Sequence, residues 1–240
     1  MSTQDKDPRT QTLKGVILSF TDGIKEKRLP RNAEPGTKEK HNFNIIVPSG
    51  TPHTEENLRR IGIALKAAGE KQWKDPDAYR KIAEDNPKRV TFKKGERFKN
   101  KEGQIYAGYE GHHAFAVSGP GGGERRPKLL DRYKRKLREQ ADAAEIKDGR
   151  VFEEGQILDI FYSGTRADVI VSFYGTDKGS RGVFATAEVV RSHQEGERMA
   201  GGYVFDESDM DEFEDFGDDG LDEISASETS AKSDEFDLGI

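Results

Sequence analysis

The sequence predicts a mainly β fold: a small β-barrel with inserted helices, followed by a disordered acidic tail. Three observations carry this. Gln156–Val190 is dense in β-branched and aromatic residues, broken only by short Gly-marked turns. Two helical patterns interrupt the strands upstream, and everything after Phe205 lacks the apolar content of a packed core. The boundaries are therefore 1–205 for the folded domain and 206–240 for the tail.

Charge is divided along the same line. Of the 240 residues, Met1–Phe205 hold 38 Lys and Arg against 30 Asp and Glu, a net of +8; Asp206–Ile240 hold 1 against 15, a net of −14. The formal total of −6 describes neither part. A cationic body tethered to an anionic arm indicates a polyanionic partner and an internal competitor for it. There is no cysteine, which excludes disulfides and thiolate chemistry. Neither an apolar run of membrane-spanning length nor a signal-type leader is present, so the expected location is cytoplasmic.

The elements follow in order. Leu13–Phe20 reads as a strand with Val16, Leu18 and Phe20 on one face. Thr21–Lys40, with Pro30, Pro35 and Gly36, reads as a long exposed connection, and His41–Val47 as a second strand stopped by Pro48. Thr51 and Pro52 open a helix, with the threonine as cap and Leu58, Ile61, Leu65 and Ala68 as its apolar stripe. A short helix after Pro76 buries Tyr79 and Ile82, and Trp73 plugs the helix junction. Arg89–Gln104 interleaves Lys93, Lys94, Arg97, Lys99 and Lys101 with Phe92 and Phe98. Ile105–Tyr109 and His112–Ser118 read as extended segments, and Gly119–Gly123 as a flexible stretch without the Lys-Ser/Thr of a phosphate loop.

Arg125–Arg138 is the most basic run, and Leu130, Tyr133, Leu137, Ala141 and Ala144 suggest a helix lying on the barrel. Three extended segments then cover Gln156–Val190. In the second, Val169, Val171 and Phe173 share a face. In the third, Val183, Ala185, Ala187 and Val189 oppose Phe184, Thr186, Glu188 and Val190. Both faces are apolar enough to require a covered or closed sheet.

No catalytic or metal-ligating constellation is present. The histidines form no HExxH, His112 and His113 point to opposite faces of a strand, and the tail carboxylates lack calcium-loop spacing. The expected class is a binding protein without catalytic residues, metal or cofactor. Nonspecific single-strand binding needs cations for phosphates and rings on which bases stack. The electrostatic candidates are Lys93, Lys94, Arg125, Arg126, Lys128, Arg132, Lys178 and Arg181. The stacking candidates are Tyr106, Tyr109, Tyr162 and Tyr174. The tail end, with Asp234, Glu235, Phe236, Asp237, Leu238 and Ile240, alternates carboxylates with apolar residues in the manner of a short protein-binding motif. An RNA-binding or RNA-chaperone barrel uses the same physics and is the first alternative, and a structural or assembly protein is the second.

The ordered pieces KGVILSF (Lys14–Phe20), GHHAFAVS (Gly111–Ser118), RRPKLLD (Arg125–Asp131) and IFYSGTRADVIVSFYGTDKGSRGVFA (Ile160–Ala185), followed by the acidic terminus, cover most of the chain. In that order they resemble the phage-encoded single-stranded-DNA-binding proteins of the podovirus replisome type. The resemblance implies an OB-like five-stranded barrel with inserted helices that binds single-stranded DNA without sequence preference in phage replication, recombination and repair. It also implies a homodimer, an acidic terminus contacting the replicative DNA polymerase and helicase-primase, and residence in the host cytoplasm. The chain departs from the pattern in closing on Ile240 with Phe236 four positions earlier, where the family typically ends on an aromatic residue.

Overall fold

The computed structural model describes residues 7–29 and 36–199. The acidic segment and its terminal motif, Asp234, Glu235, Phe236, Asp237, Leu238 and Ile240, lie outside the described residues. Strands β1 (Thr10–Ser19) and β2 (Asn42–Val47) flank a four-residue helix α1 (Asp22–Lys25). Helices α2 (Thr54–Trp73) and α3 (Ala78–Asp85) precede the short β3 (Lys93–Lys94) and β4 (His113–Ser118). Then come β5 (Lys128–Leu130), β6 (Lys136–Leu137), α4 (Ala143–Lys147), β7 (Val151–Phe152) and α5 (Ile157–Ile160), before the long hairpin β8 (Arg166–Thr176) and β9 (Gly182–Ser192). The described residues form one sheet in the order β3-β4-β2-β1-β8-β9-β5-β6-β7, and one parallel pairing, Ser118 to Thr186, joins β4 to β9. The architecture is OB-like and mixed α/β, with more helix than a mainly β reading allows.

Strand alternation sorts the side chains. Leu13, Val16, Leu18, Phe43, Ile45, Phe115, Val117, Val169, Val171, Phe173, Val183, Ala185 and Ala187 point into one core. Helix α2 closes that core with Ile61, Ala64, Leu65 and Ala68, on the three-and-four spacing visible in the sequence. Its start differs from expectation. The helix begins at Thr54 without a side-chain cap, and Thr51 donates its backbone N–H to Thr54 Oγ1 (2.9 Å) instead of capping. Trp73 packs where expected: its ring lies against Gly175 and its indole N–H donates to Asp177 Oδ1 (2.8 Å). This ties the end of α2 to the β8–β9 hairpin.

Several sequence expectations are corrected. Ile157–Ile160 forms a helical turn where a strand was expected, so the meander has two strands instead of three. Arg125–Arg138 is not a helix. Pro127 and the buried Asp131 interrupt it, and Asp131 Oδ1 accepts from the backbone N–H groups of Tyr133 (3.0 Å) and Arg135 (2.8 Å), which closes a β5–β6 turn. Ile105–Tyr109 makes only an isolated bridge, Lys99 to Ile105. In β9 the register slips by one residue, Ile170 opposing Val189 but Val171 opposing Ala187, so Glu188 is the extra residue of a bulge. The bulge turns Val190, not Val189, into the core. Phe20 leaves the face of Val16 and Leu18 because its backbone is left-handed (φ 55°) and throws the ring outward. Gly119–Gly123 is an ordered turn, with the Gly123 carbonyl accepting from His41 N–H (2.9 Å).

Phe173 is buried at the centre of the core against Phe115, with ring centroids 5.5 Å apart. Phe173→Ala is expected to cost about 3–5 kcal/mol of unfolding free energy, read as a lower urea midpoint at unchanged slope.

Candidate nucleic-acid interface

The pairing of β2 with β4 places Asn42 opposite Ser118, Asn44 opposite Ala116 and Ile46 opposite Ala114 on the outward face. Half of that face is small and polar. The other half belongs to a satellite cluster of Ile46, Tyr109 and Ala114, packed by Ile17, Phe20, Phe98, Ile105, Tyr106 and Met199. Above the polar half run two adjoining hollows of about 570 and 480 Å3 that share Asn42, Lys93, Phe98 and Ala116. They form one groove across β2 and β4, bounded by the β1–β2 connection at one end and the β8–β9 hairpin tip at the other. In OB folds this face and these two loops are where oligonucleotides lie.

The lining is strongly cationic. Arg28, Lys40, Lys88, Arg89, Lys93, Arg97, Lys99 and Lys178 face it, against the single carboxylate of Asp22 among the described residues. Arg28 is tied to Asp22 (3.0 Å) and Glu26 (2.8 Å), which leaves the positive excess to the others. Five rings interleave with the cations: Phe20, Phe98, Tyr106, Tyr174 and Phe184. They are held by one another and by cations. Phe20 meets Tyr106 edge-on at 5.0 Å, Tyr174 lies 6.3 Å from Phe184, and the Arg89 guanidinium sits 5.0 Å over Phe184. Arg89 also donates to the carbonyls of Lys178 (3.0 Å), Ser180 and Arg181 (3.3 Å). That clamp fixes the hairpin tip as a wall of the groove.

Lys93 stands between the two hollows with its ammonium 5.9 Å over the Phe98 ring. Burial, reinforced by Arg97 and Lys88 nearby, holds its pKa below the usual lysine range. An incoming phosphate would reverse that shift. Burial also raises the Tyr174 phenol, keeping it neutral and uncharged toward an anion.

Of the residues singled out in the sequence, the structure brings Lys93, Tyr106, Tyr174 and Lys178 together in the groove. Lys94 falls on the opposite pleat, paired with His113. Tyr109 is corrected outright. It is fully buried in the satellite cluster, its hydroxyl accepting from Asn44 Nδ2 (2.9 Å), and presents no face to a base. Arg126 lies outside the groove: its side chain is 11% exposed and bound to Glu139 (2.6 Å) and Glu154 (2.8 Å). Tyr162 donates to the Gly196 carbonyl (2.9 Å) beneath the Arg198 guanidinium, away from the groove. Arg181 lies outside the lining, 5.9 Å over Trp73 and 3.6 Å from Asp177. Arg125 and Lys128 line a separate small hollow with Pro120 and Glu188, and Arg132 stands at the β5–β6 turn. The residues missed are Arg28, Lys40, Lys88, Arg89, Arg97 and Lys99, with Phe20, Phe98 and Phe184. Arg97, Lys99 and Phe98 were visible in the basic-aromatic run that Arg89 opens, whereas Lys40 and Phe184 carry no local signal. Among the described residues no group of three or more His, Cys, Asp or Glu is placed to hold a metal ion, and no helix is long and apolar enough to cross a membrane.

Comparison with known proteins follows the same line. The family model described as Enterobacter phage Enc34, ssDNA-binding protein, matches residues 13–221. Putative protein p50 of Acyrthosiphon pisum secondary endosymbiont phage 1 is 29% identical over 179 residues, 73% of this chain and 79% of that protein. Among solved structures, the single-stranded DNA-binding protein from bacteriophage Enc34 in complex with ssDNA superposes with a TM-score of 0.58 at 12% identity, covering 83% of this chain and 97% of that one. A second structure of the single-stranded DNA-binding protein from bacteriophage Enc34 gives a TM-score of 0.57 at 13% identity, covering 87% of this chain and 96% of that one. At such identities these likenesses speak to the fold.

A lysine attracts phosphate only when protonated, so any share of polyanion affinity that Lys93 carries should be lost as pH rises through its lowered pKa, below the range where ordinary lysines titrate. Lys93→Arg should remove that early loss, as read by anisotropy titrations with a labelled oligonucleotide at stepped alkaline pH.

Proposed function

From the premise that this chain belongs to the family of Enterobacter phage Enc34, ssDNA-binding protein, we propose that it binds single-stranded DNA without sequence preference, along the groove over β2 and β4. The carrying observation is the lining of eight cations to one carboxylate, interleaved with five aromatic rings. The cations take phosphates and release counterions, and the rings take bases, each stack contributing roughly 1–3 kcal/mol regardless of base identity. The polar floor of Asn42, Asn44 and Ser118 offers hydrogen bonds without a fixed donor pattern, which suits sequence tolerance. The role is that of a binding protein, not an enzyme. It coats and protects single strands during phage DNA replication and recombination in the host cytoplasm.

The finer reading of the fold is an OB-type barrel of β1, β2, β4, β8 and β9, closed between β4 and β9. The Ser118–Thr186 bridge and the parallel bridge from Val90 to Val183 support it. In that arrangement the groove lies on the outside of the barrel, between the β1–β2 connection and the β8–β9 hairpin tip.

The acidic segment 206–240 is assigned to a second role: an intramolecular competitor for the groove and, when displaced, a recruiting arm for the replicative polymerase and helicase-primase. Its net of −14 imitates a strand. Met199, near the end of the described residues, packs in the satellite cluster with Phe20, Phe98 and Tyr106, three of the groove's rings. The homodimer belongs to the same reading.

Two outcomes test this. Phe98→Ala should weaken single-strand binding by about 1–3 kcal/mol while duplex binding changes little; equal losses on both would remove base stacking from the account. Deleting residues 206–240 should tighten single-strand binding on the order of tenfold at low salt. That magnitude assumes a tethered competitor at an effective concentration near millimolar, acting on an intrinsic Kd near 0.1 mM. At high salt the difference should vanish.

A further inference from the structure

The turn between β5 and β6 carries an exposed ring that the groove does not use. Tyr133 is 62% exposed, the most exposed of the large apolar side chains among the described residues. The Arg132 guanidinium lies 4.7 Å over its ring and that of Arg135 lies at 5.4 Å, while Lys134 is exposed beside it.

The turn is rigidly made. Asp131, fully buried, accepts from the N–H groups of Tyr133 and Arg135 and from Arg135 Nε (2.6 Å). Arg191 on β9 donates to the Arg132 carbonyl (3.3 Å), fastening the tip to the strand that leads back to the groove. Arg135 is committed to Asp131; Arg132 is exposed and donates to the Tyr133 hydroxyl, and Lys134 is exposed beside it.

Between the two places lies a small hollow that holds Arg125 and Lys128. Strand β9 supplies Phe184 to the groove and, beyond Thr186, Glu188 to that hollow. Lys128 lies opposite Val189 and Leu130 opposite Arg191, so β5 leads from that hollow to the tip. From Phe184 to Arg191 the rise is about 23 Å, within reach of a strand occupying the upper part of the roughly 4–16 nucleotides an OB fold engages.

We infer that the Arg132–Tyr133–Lys134 tip is a second stacking contact for single-stranded DNA, engaged by nucleotides that have left the groove along β9 and β5. This rests on the groove being the primary single-strand site. Bases are the matching occupant because a tyrosine face under a guanidinium offers a π surface with adjacent charge for the flanking phosphates.

The test uses the full chain with two oligothymidylates, one of about 4 nucleotides that fills only the groove and one of about 16 that reaches the tip. Tyr133→Ala should weaken binding of the longer oligomer by about 5–100-fold and leave the shorter unchanged. Tyr133→Trp should retain affinity, and its added fluorescence should be quenched by the longer oligomer only. Wild-type affinity of Tyr133→Ala for the longer oligomer would overturn the proposal while leaving the groove in place. Failure of the wild-type chain to bind either oligomer would instead overturn the groove reading.

Discussion

The register of β2 on β4 is the constraint from which the rest follows. With Phe43, Ile45 and Val47 turned inward beside Phe115 and Val117, the period of two obliges Asn42, Asn44 and Ser118 to face outward. A slip of one residue would bury two asparagines and expose the core, so packing energy holds the polar floor of the groove in place. The floor is thus a by-product of the core. The fold needs no separate device to keep large apolar side chains off it, because Ile46 and Ala114 fall at the end where the satellite cluster covers them.

On that floor the charge is gathered from far apart in the chain. Lys40 ends the β1–β2 connection, Lys88 and Arg89 follow α3, Lys93 begins β3, and Lys178 tops the β8–β9 hairpin. Each is an ordinary surface cation by itself. Together they oppose one carboxylate, and partial burial, reinforced by repulsion from Arg97 and Lys88, depresses Lys93. The energy of bringing like charges together is borne by the core and by Arg89, whose three carbonyl contacts hold the hairpin against the neighbouring loop. Such a surface is primed for an anion: binding relieves strain that folding imposed.

The surface ion pairs contrast with this. Glu56 with Arg59 and Arg60, Lys81 with Asp75, and Arg138 with Glu153 lie at the surface, exposed or partly so, and contribute little to stability. Carboxylates accompany cations over most of the described surface, and it is their scarcity in the groove that distinguishes it. The same local logic explains Arg126, whose basic neighbours in sequence suggested a phosphate contact but whose side chain lies between Glu139 and Glu154.

Alternation along Leu13–Leu18, Phe43–Val47, His113–Val117 and Val169–Phe173, and the stripe of α2, were legible because periodicity depends only on neighbours in the chain and on one buried face. Charge division and the excess of body cations were legible for the same reason. The family order of motifs could be read from the same string. What required the tertiary structure was every feature set by contacts between distant segments. The bulge at Glu188 is imposed by pairing with β8; the turn at Asp131 depends on a carboxylate whose burial the sequence does not reveal; and the inward placement of Tyr109 follows from the packing of Phe20, Phe98 and Ile46 around it. Which cations share a groove was decided there too, since electrostatic neighbours across a sheet are set by strand order, and strand order is not written in any local stretch of residues.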